Sequence, residues 1–203
     1  MSQEKDVRLE DVAESKAELD DKARKMLEDK DADSRMRIYE GPLGKAIIVL
    51  LCVWTAFQLY FTTIGAISAI NLRAIHCIFL LLFTFLLFPT YKKEKRRRKL
   101  PPIWDWVFIL GSIGSFTYLI LNYTRIAQTG GRISDMEVGI ALVAIVCVFE
   151  AARRASGNLA ILAAVFLAYN WFGAYLPGYF GHNGFTLKRV LITQFWGTQG
   201  VLG

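Results

Sequence analysis

Five long apolar runs lie within about 160 residues, and a basic block, Lys92-Lys-Glu-Lys-Arg-Arg-Arg-Lys99, sits among them. Runs of that length are stable only where hydrocarbon surrounds them, and such a concentration of positive charge favours the cytoplasmic side of a bilayer. The sequence therefore predicts an all-α, polytopic transmembrane helix bundle with about five spans. It also predicts a charged cytoplasmic helix before the bundle and an interfacial amphipathic helix after it.

The spans are expected at about 46–64, 74–89, 103–123, 135–155 and 159–176, within a bundle covering 45–178. Gln58 is the one strongly polar side chain of the first run, and Asn170 interrupts the fifth. In hydrocarbon, such residues are expected to hydrogen-bond between helices. The connection before the second span is read at Gly65–Arg73. Pro101-Pro102 separates the second span from the third, since proline cannot continue a helix. Trp104 and Trp106 open the third span in the manner of an interfacial belt. The fourth apolar run, Val138 to Ala152, is only 15 residues. It crosses if it extends to Ser134–Ser156, with Ser134 capping the start and Gly157 ending it.

Charge divides the chain. Residues 1–40 carry 13 Asp/Glu and 9 Lys/Arg, a net of −4, and the remainder carries 5 and 15, a net of +10. The acidic segment 1–44 has helical composition. Leu9, Val12, Leu19, Ala23 and Met26 form a thin apolar seam, and Glu18/Lys22, Asp20/Arg24 and Asp21/Lys25 are acid-to-base pairs at i,i+4. Gly41-Pro42-Leu43-Gly44 ends it. Placing the 92–99 block inside puts Arg153-Arg154 inside as well, so the N-terminus is cytoplasmic and the end of the fifth span lies outside. Beyond it, Leu187, Val190, Leu191 and Phe195 share one helical face, as in a helix lying in the headgroup plane. The basic excess sits at the ends of apolar runs, where it meets lipid headgroups, so nucleic acid is not an expected partner.

Residues with chemical potential are few. Glu150 is an acid near the interior of an apolar run, at i,i+3 and i,i+4 from Arg153 and Arg154. An intramembrane acid is a candidate for proton or ion coupling, and an intrahelical ion pair at the inner interface is the competing structural role. Arg73 and His76 share a face at the outer end of the second span, suited to packing or a headgroup contact. Asp105 is positioned to cap the third helix or to pair with the basic block. Cys52, Cys77 and Cys147 lie inside apolar runs at unrelated spacings and read as small hydrophobes. Neither a catalytic constellation nor a cofactor or metal-ligand spacing is legible, and no span is broken by proline at mid-membrane.

The order of local motifs from residue 73 onward resembles the small membrane domain of fused TRAP transporter permeases, the TAXI branch in particular. The residues concerned are Arg73-Ala-Ile-His76, the basic block leading into Pro102-Ile-Trp-Asp105, Tyr118, Gly131-Arg132 and Asp135. They continue with Glu150-Ala-Ala-Arg-Arg-Ala-Ser-Gly157, Phe166-Leu-Ala-Tyr-Asn-Trp-Phe-Gly-Ala-Tyr-Leu-Pro-Gly178, His182-Asn-Gly-Phe185 and Gly200-Val-Leu-Gly203. The resemblance implies a small, non-catalytic scaffold in the bacterial or archaeal cytoplasmic (inner) membrane. It would belong to a tripartite secondary transporter taking up organic acids, such as dicarboxylates, on an ion gradient. The implied partners are a large (M-type) permease domain or subunit and a periplasmic solute-binding protein, with 179–203 linking toward the former. Either a separate subunit or a piece of a longer polypeptide fits that pattern. The alternative reading is a polytopic assembly or regulatory protein recruiting a cytoplasmic partner through its acidic tail.

Overall fold

The structure, a computed structural model, describes residues 20–22, 36–65, 67–91, 97–98 and 100–203. The chain divides into two compact units, Met1–Met36 and Arg37–Gly203. In the first, Asp20, Asp21 and Lys22 are helical. The apolar seam and the partners Glu18, Arg24 and Lys25 lie outside the described residues, as do positions 92–96 and 99 of the basic block.

The second unit is a helical bundle. A two-residue strand β1 (Ile38–Tyr39) leads into α1 (Pro42–Ile64) and α2 (Ala69–Leu87). After strand β2 (Arg97–Arg98) come α3 (Ile103–Gln128), α4 (Asp135–Ala155) and α5 (Gly157–Phe172). Two 3-10 turns (Gly173–Tyr175 and Gly178–Phe180) follow, then α6 (Leu187–Leu191), which runs on as a π-helical turn (Ile192–Trp196). The strands pair in parallel, Ile38 with Arg97 and Tyr39 with Arg98, so the lead-in to α1 lies beside the loop between α2 and α3.

Local chemistry sets the helix limits. Pro42 stands in the first turn of α1, where its missing N–H costs nothing, and Gly65 closes that helix at φ 66°, a left-handed conformation suited to glycine. Ser68 caps α2 by accepting from the Asn71 N–H at 3.4 Å. The second helix therefore begins five residues before the expected span, and the connection is limited to Gly65–Ser68. Asn71 and Arg73 are helical residues rather than loop. Ser134 starts α4 with a capping box: its hydroxyl accepts from the Glu137 N–H, and Glu137 Oε2 accepts from the Ser134 N–H at 2.6 Å. Ser156, with φ −152°, ends α4, and Gly157 begins α5 instead of ending the fourth run.

Among the described residues, four helical stretches are long and apolar enough to cross a membrane: Pro42–Ile64, Ala69–Leu87, Ile103–Gln128 and Gly157–Tyr175. The fourth expected span, α4, is not among them. It has 21 residues, but Asp135, Glu137, Glu150, Arg153 and Arg154 all fall within it.

The core lies between α2, α3 and α4, around Leu81, Phe85, Ile109, Phe116, Leu119, Ala141 and Ala144. Residue pairs reveal the helix directions. Phe85 stacks on Phe108 at 5.3 Å, joining the end of α2 to the start of α3. Cys147, late in α4, reaches the Phe108 carbonyl, while Glu137, early in α4, meets Tyr118 and Arg125 late in α3. Helices α2, α3 and α4 thus alternate in direction. The outer helices α1 and α5 bury little of their surface, and large side chains such as Val53, Leu59, Leu162 and Phe166 are exposed.

The C-terminal segment departs from the expected headgroup-plane helix. Val190, Leu191, Phe195, Trp196 and Leu202 are all buried. Phe195 packs edge-on against Phe116 at 5.4 Å, and Trp196 against Tyr118 at 6.1 Å. The apolar face read from the sequence exists, apart from the exposed Leu187, but protein rather than lipid covers it. A hydrophobic pattern specifies that a face be covered and leaves the identity of the cover open.

Candidate functional site

The first turn of α3 carries Asp105, whose side chain is wholly buried. Each of its oxygens receives a guanidinium: Arg37 donates to Oδ2 at 2.5 Å and Arg154 to Oδ1 at 2.7 Å. The Thr90 hydroxyl lies 3.4 Å from Oδ1. Both arginine side chains are likewise wholly buried. Arg37 also donates to the Phe85 carbonyl at 3.2 Å, and its backbone N–H to Leu87 O at 2.7 Å. Tyr39 follows with its hydroxyl on Leu86 O at 2.7 Å. These contacts hold the lead-in to α1 against the last turn of α2, satisfying carbonyls that a helix end otherwise leaves orphaned.

Arg154 extends the cluster. Its Nε donates to Glu150 Oε1 at 2.8 Å, and its guanidinium lies over the rings of Phe85 (4.9 Å) and Phe108 (5.5 Å). Arg153 grips the same carboxylate with two 2.7 Å bonds and reaches the Thr90 carbonyl at 3.3 Å. Three cations and two anions from three segments, the lead-in to α1, α3 and α4, therefore converge, with a formal charge of +1. The unfavourable desolvation of a buried carboxylate is offset here by two charge-assisted bonds of good geometry. Both Asp105 oxygens are engaged by guanidinium groups, which makes the cluster a clamp, with Arg154 Nη2 buried and unpartnered among the described residues.

Of the residues singled out in the sequence, Asp105, Glu150, Arg153 and Arg154 come together in this cluster. Asp105 does not cap α3; Pro102 occupies the cap position, and Asp105 lies inside the first turn. Its described partners are Arg37 and Arg154. Arg37 escaped the sequence reading because it looks like one more charge in a charged tail. The available signal was its place in Arg37-Ile-Tyr39, an amphipathic triplet immediately before the Gly41-Pro42 helix start.

Arg73 and His76 lie apart from it, toward the other end of α2. Arg73 donates to the Leu202 carbonyl at 2.8 Å, and His76 packs 5.3 Å from Trp54 of α1. Gln58 and Asn170 do not make the expected interhelical bonds. Asn170 donates to Phe166 O and Leu167 O of its own helix, and the Gln58 side-chain oxygen is buried without a partner. A second ion pair, Glu137 with Arg125, joins α4 to α3 at that far end, where Tyr118 and Ser134 complete the carboxylate's shell. Among the described residues, no group of three His, Cys, Asp or Glu side chains converges in a way that could hold a metal.

No protein-family model, curated protein or solved structure matches this chain.

Proposed function

We propose that this chain is the small, static membrane scaffold of a TRAP-type transporter of the TAXI branch. In this reading it sits in the cytoplasmic membrane of a bacterium or archaeon and supports uptake of organic acids on an ion gradient. Solute reaches the complex from a periplasmic binding protein, and a large permease partner carries it across. The observation that carries the proposal is the buried clamp of Arg37, Asp105, Glu150, Arg153 and Arg154. A buried acid whose oxygens are both held by arginines suits a scaffold and not a coupling site. The thinly buried helices α1 and α5 offer apolar faces that lipid and a large membrane partner can cover.

In the same reading α4 is a fifth span. Its 21 residues extend about 31 Å, its charges cluster at its two ends, and Asp135, Glu137, Glu150, Arg153 and Arg154 all have ion-pair partners. Five crossings put Arg153-Arg154 and the 92–99 block on the cytoplasmic side and the α5 end outside.

Affinity purification of the chain from its native membrane, in mild detergent, tests the proposal. The expected result is stoichiometric recovery of a much larger polytopic permease. Solute transport by vesicles containing this chain alone would refute the scaffold role.

A further inference from the structure

Between α1, α2 and the C-terminal turn lies a cavity of about 260 Å³, lined by Gln58, Leu72, Arg73, His76, Val201 and Leu202 among others. Its polar lining is incompletely used. The Gln58 side-chain oxygen and His76 Nδ1 are both buried and have no hydrogen-bond partner among the described residues. Next to them, the Trp54 indole N–H is also without a partner. Buried polar groups are nearly always satisfied, so several unsatisfied ones together mark a place where another molecule supplies the bonds.

Arg73 defines what kind of molecule. One of its nitrogens holds the Leu202 carbonyl, and among the described residues no carboxylate is paired with it. A guanidinium with N–H groups to spare is a forked receptor for phosphate or carboxylate oxygens. Its depth narrows the choice. Arg73 lies four residues into α2, about 6 Å along the axis from the start of a helix long and apolar enough to cross a bilayer. That is headgroup level, where arginine meets lipid phosphate. The Gln58 oxygen accepts and cannot donate, so the ligand must also bring an N–H or O–H of its own.

From these observations we infer that the cavity binds a phosphate ester carrying a neighbouring N–H or O–H donor, with the phosphate on Arg73 and the donor on Gln58 and His76. Phosphatidylethanolamine and phosphatidylglycerol headgroups have this chemistry, as does soluble phosphoethanolamine; phosphatidylcholine lacks the donor. The inference is independent of the transport reading.

Native mass spectrometry of the detergent-purified full chain, titrated with each of the three lipids, provides the test. Wild type should retain phosphatidylethanolamine or phosphatidylglycerol in preference to phosphatidylcholine. Arg73→Gln should lower retention about tenfold, the loss expected for one charge-assisted bond. Lys45→Gln, at the exposed start of α1, should leave retention unchanged. Displacement of lipid by millimolar phosphoethanolamine would support the site with a soluble ligand as its source, and resistance to displacement would support it with the acyl chains contributing. Equal lipid retention by wild type and a folded Arg73→Gln variant would overturn the assignment, as would an equal loss from Lys45→Gln. If Arg73→Gln melts early, Gln58→Leu, which changes no charge, decides the matter. Loss of the preference over phosphatidylcholine is required, and its persistence overturns the inference.

Discussion

Replacing Asp105 with alanine tests the clamp most directly. The substitution removes an acceptor for two guanidinium groups, at 2.5 and 2.7 Å, whose side chains have no exposure to solvent. Arg154 keeps Glu150, and Arg37 keeps the Phe85 carbonyl, so neither cation is stranded completely. Two charge-assisted bonds at about 1.5–3 kcal/mol each suggest a loss of about 3–6 kcal/mol. The known effect of breaking a buried ion pair from one side, about 3–5 kcal/mol, lies in the same range. The measurement is reversible unfolding of the purified chain in mixed micelles of increasing SDS fraction, followed by loss of helical signal. Pairing the substitution with Arg154→Met supplies the internal control. With the acid already gone, removing the arginine should cost less than it does alone, leaving a coupling of about 1–3 kcal/mol. A destabilisation under about 1 kcal/mol, the range of surface pairs, together with additive single substitutions, would refute the clamp and leave Asp105 a bystander.

Truncation gives a sharper contrast at the boundary between the two units. A chain beginning at Arg37 retains the clamp, whereas one beginning at Glu40 loses Arg37 and Tyr39; the second should be less stable by about 3–5 kcal/mol in the same unfolding assay. Ser134→Ala removes the capping box of α4 and should cost about 1 kcal/mol, with faster amide exchange in that first turn. Gly173→Val should be worse: a β-carbon there would stand 2.1 Å from His182 Nε2, forcing apart the ring and the α5 end at a cost of about 1–3 kcal/mol or more. Its readout is protease sensitivity of the 176–185 segment. Unchanged cleavage would show that His182 moves aside freely.

The features readable in the sequence were those with local causes. Long apolar runs become helices, Ser134 caps where its spacing to Glu137 implies, and Glu150 meets Arg153 and Arg154 because three and four residues make one turn. The unreadable features depend on chain segments meeting across long separations. Arg37 and Asp105 are 68 residues apart, and the amphipathic triplet around Arg37 says nothing of which distant acid it will meet. The start of α2 was obscured because Asn71 and Arg73 looked like loop; a polar residue in a first turn, behind a serine cap, is consistent with either. The inward packing of residues 187–196 was hidden for a related reason, since an apolar face looks the same whether lipid or protein will meet it.

The order in which the clamp's members leave the ribosome has a consequence of its own. Arg37 emerges first, its acid 68 residues later, and Arg154 another 49 residues after that. Until α4 has folded, Arg37 lacks the pocket built by Phe85, Asp105 and Arg154, and its charge is best kept in water. The β1–β2 pairing likewise waits for the loop after α2. The lead-in to α1 must therefore dock late, against helices made after it. A chain whose later helices are missing leaves Arg37 and Tyr39 without the partners that hold them in the folded bundle.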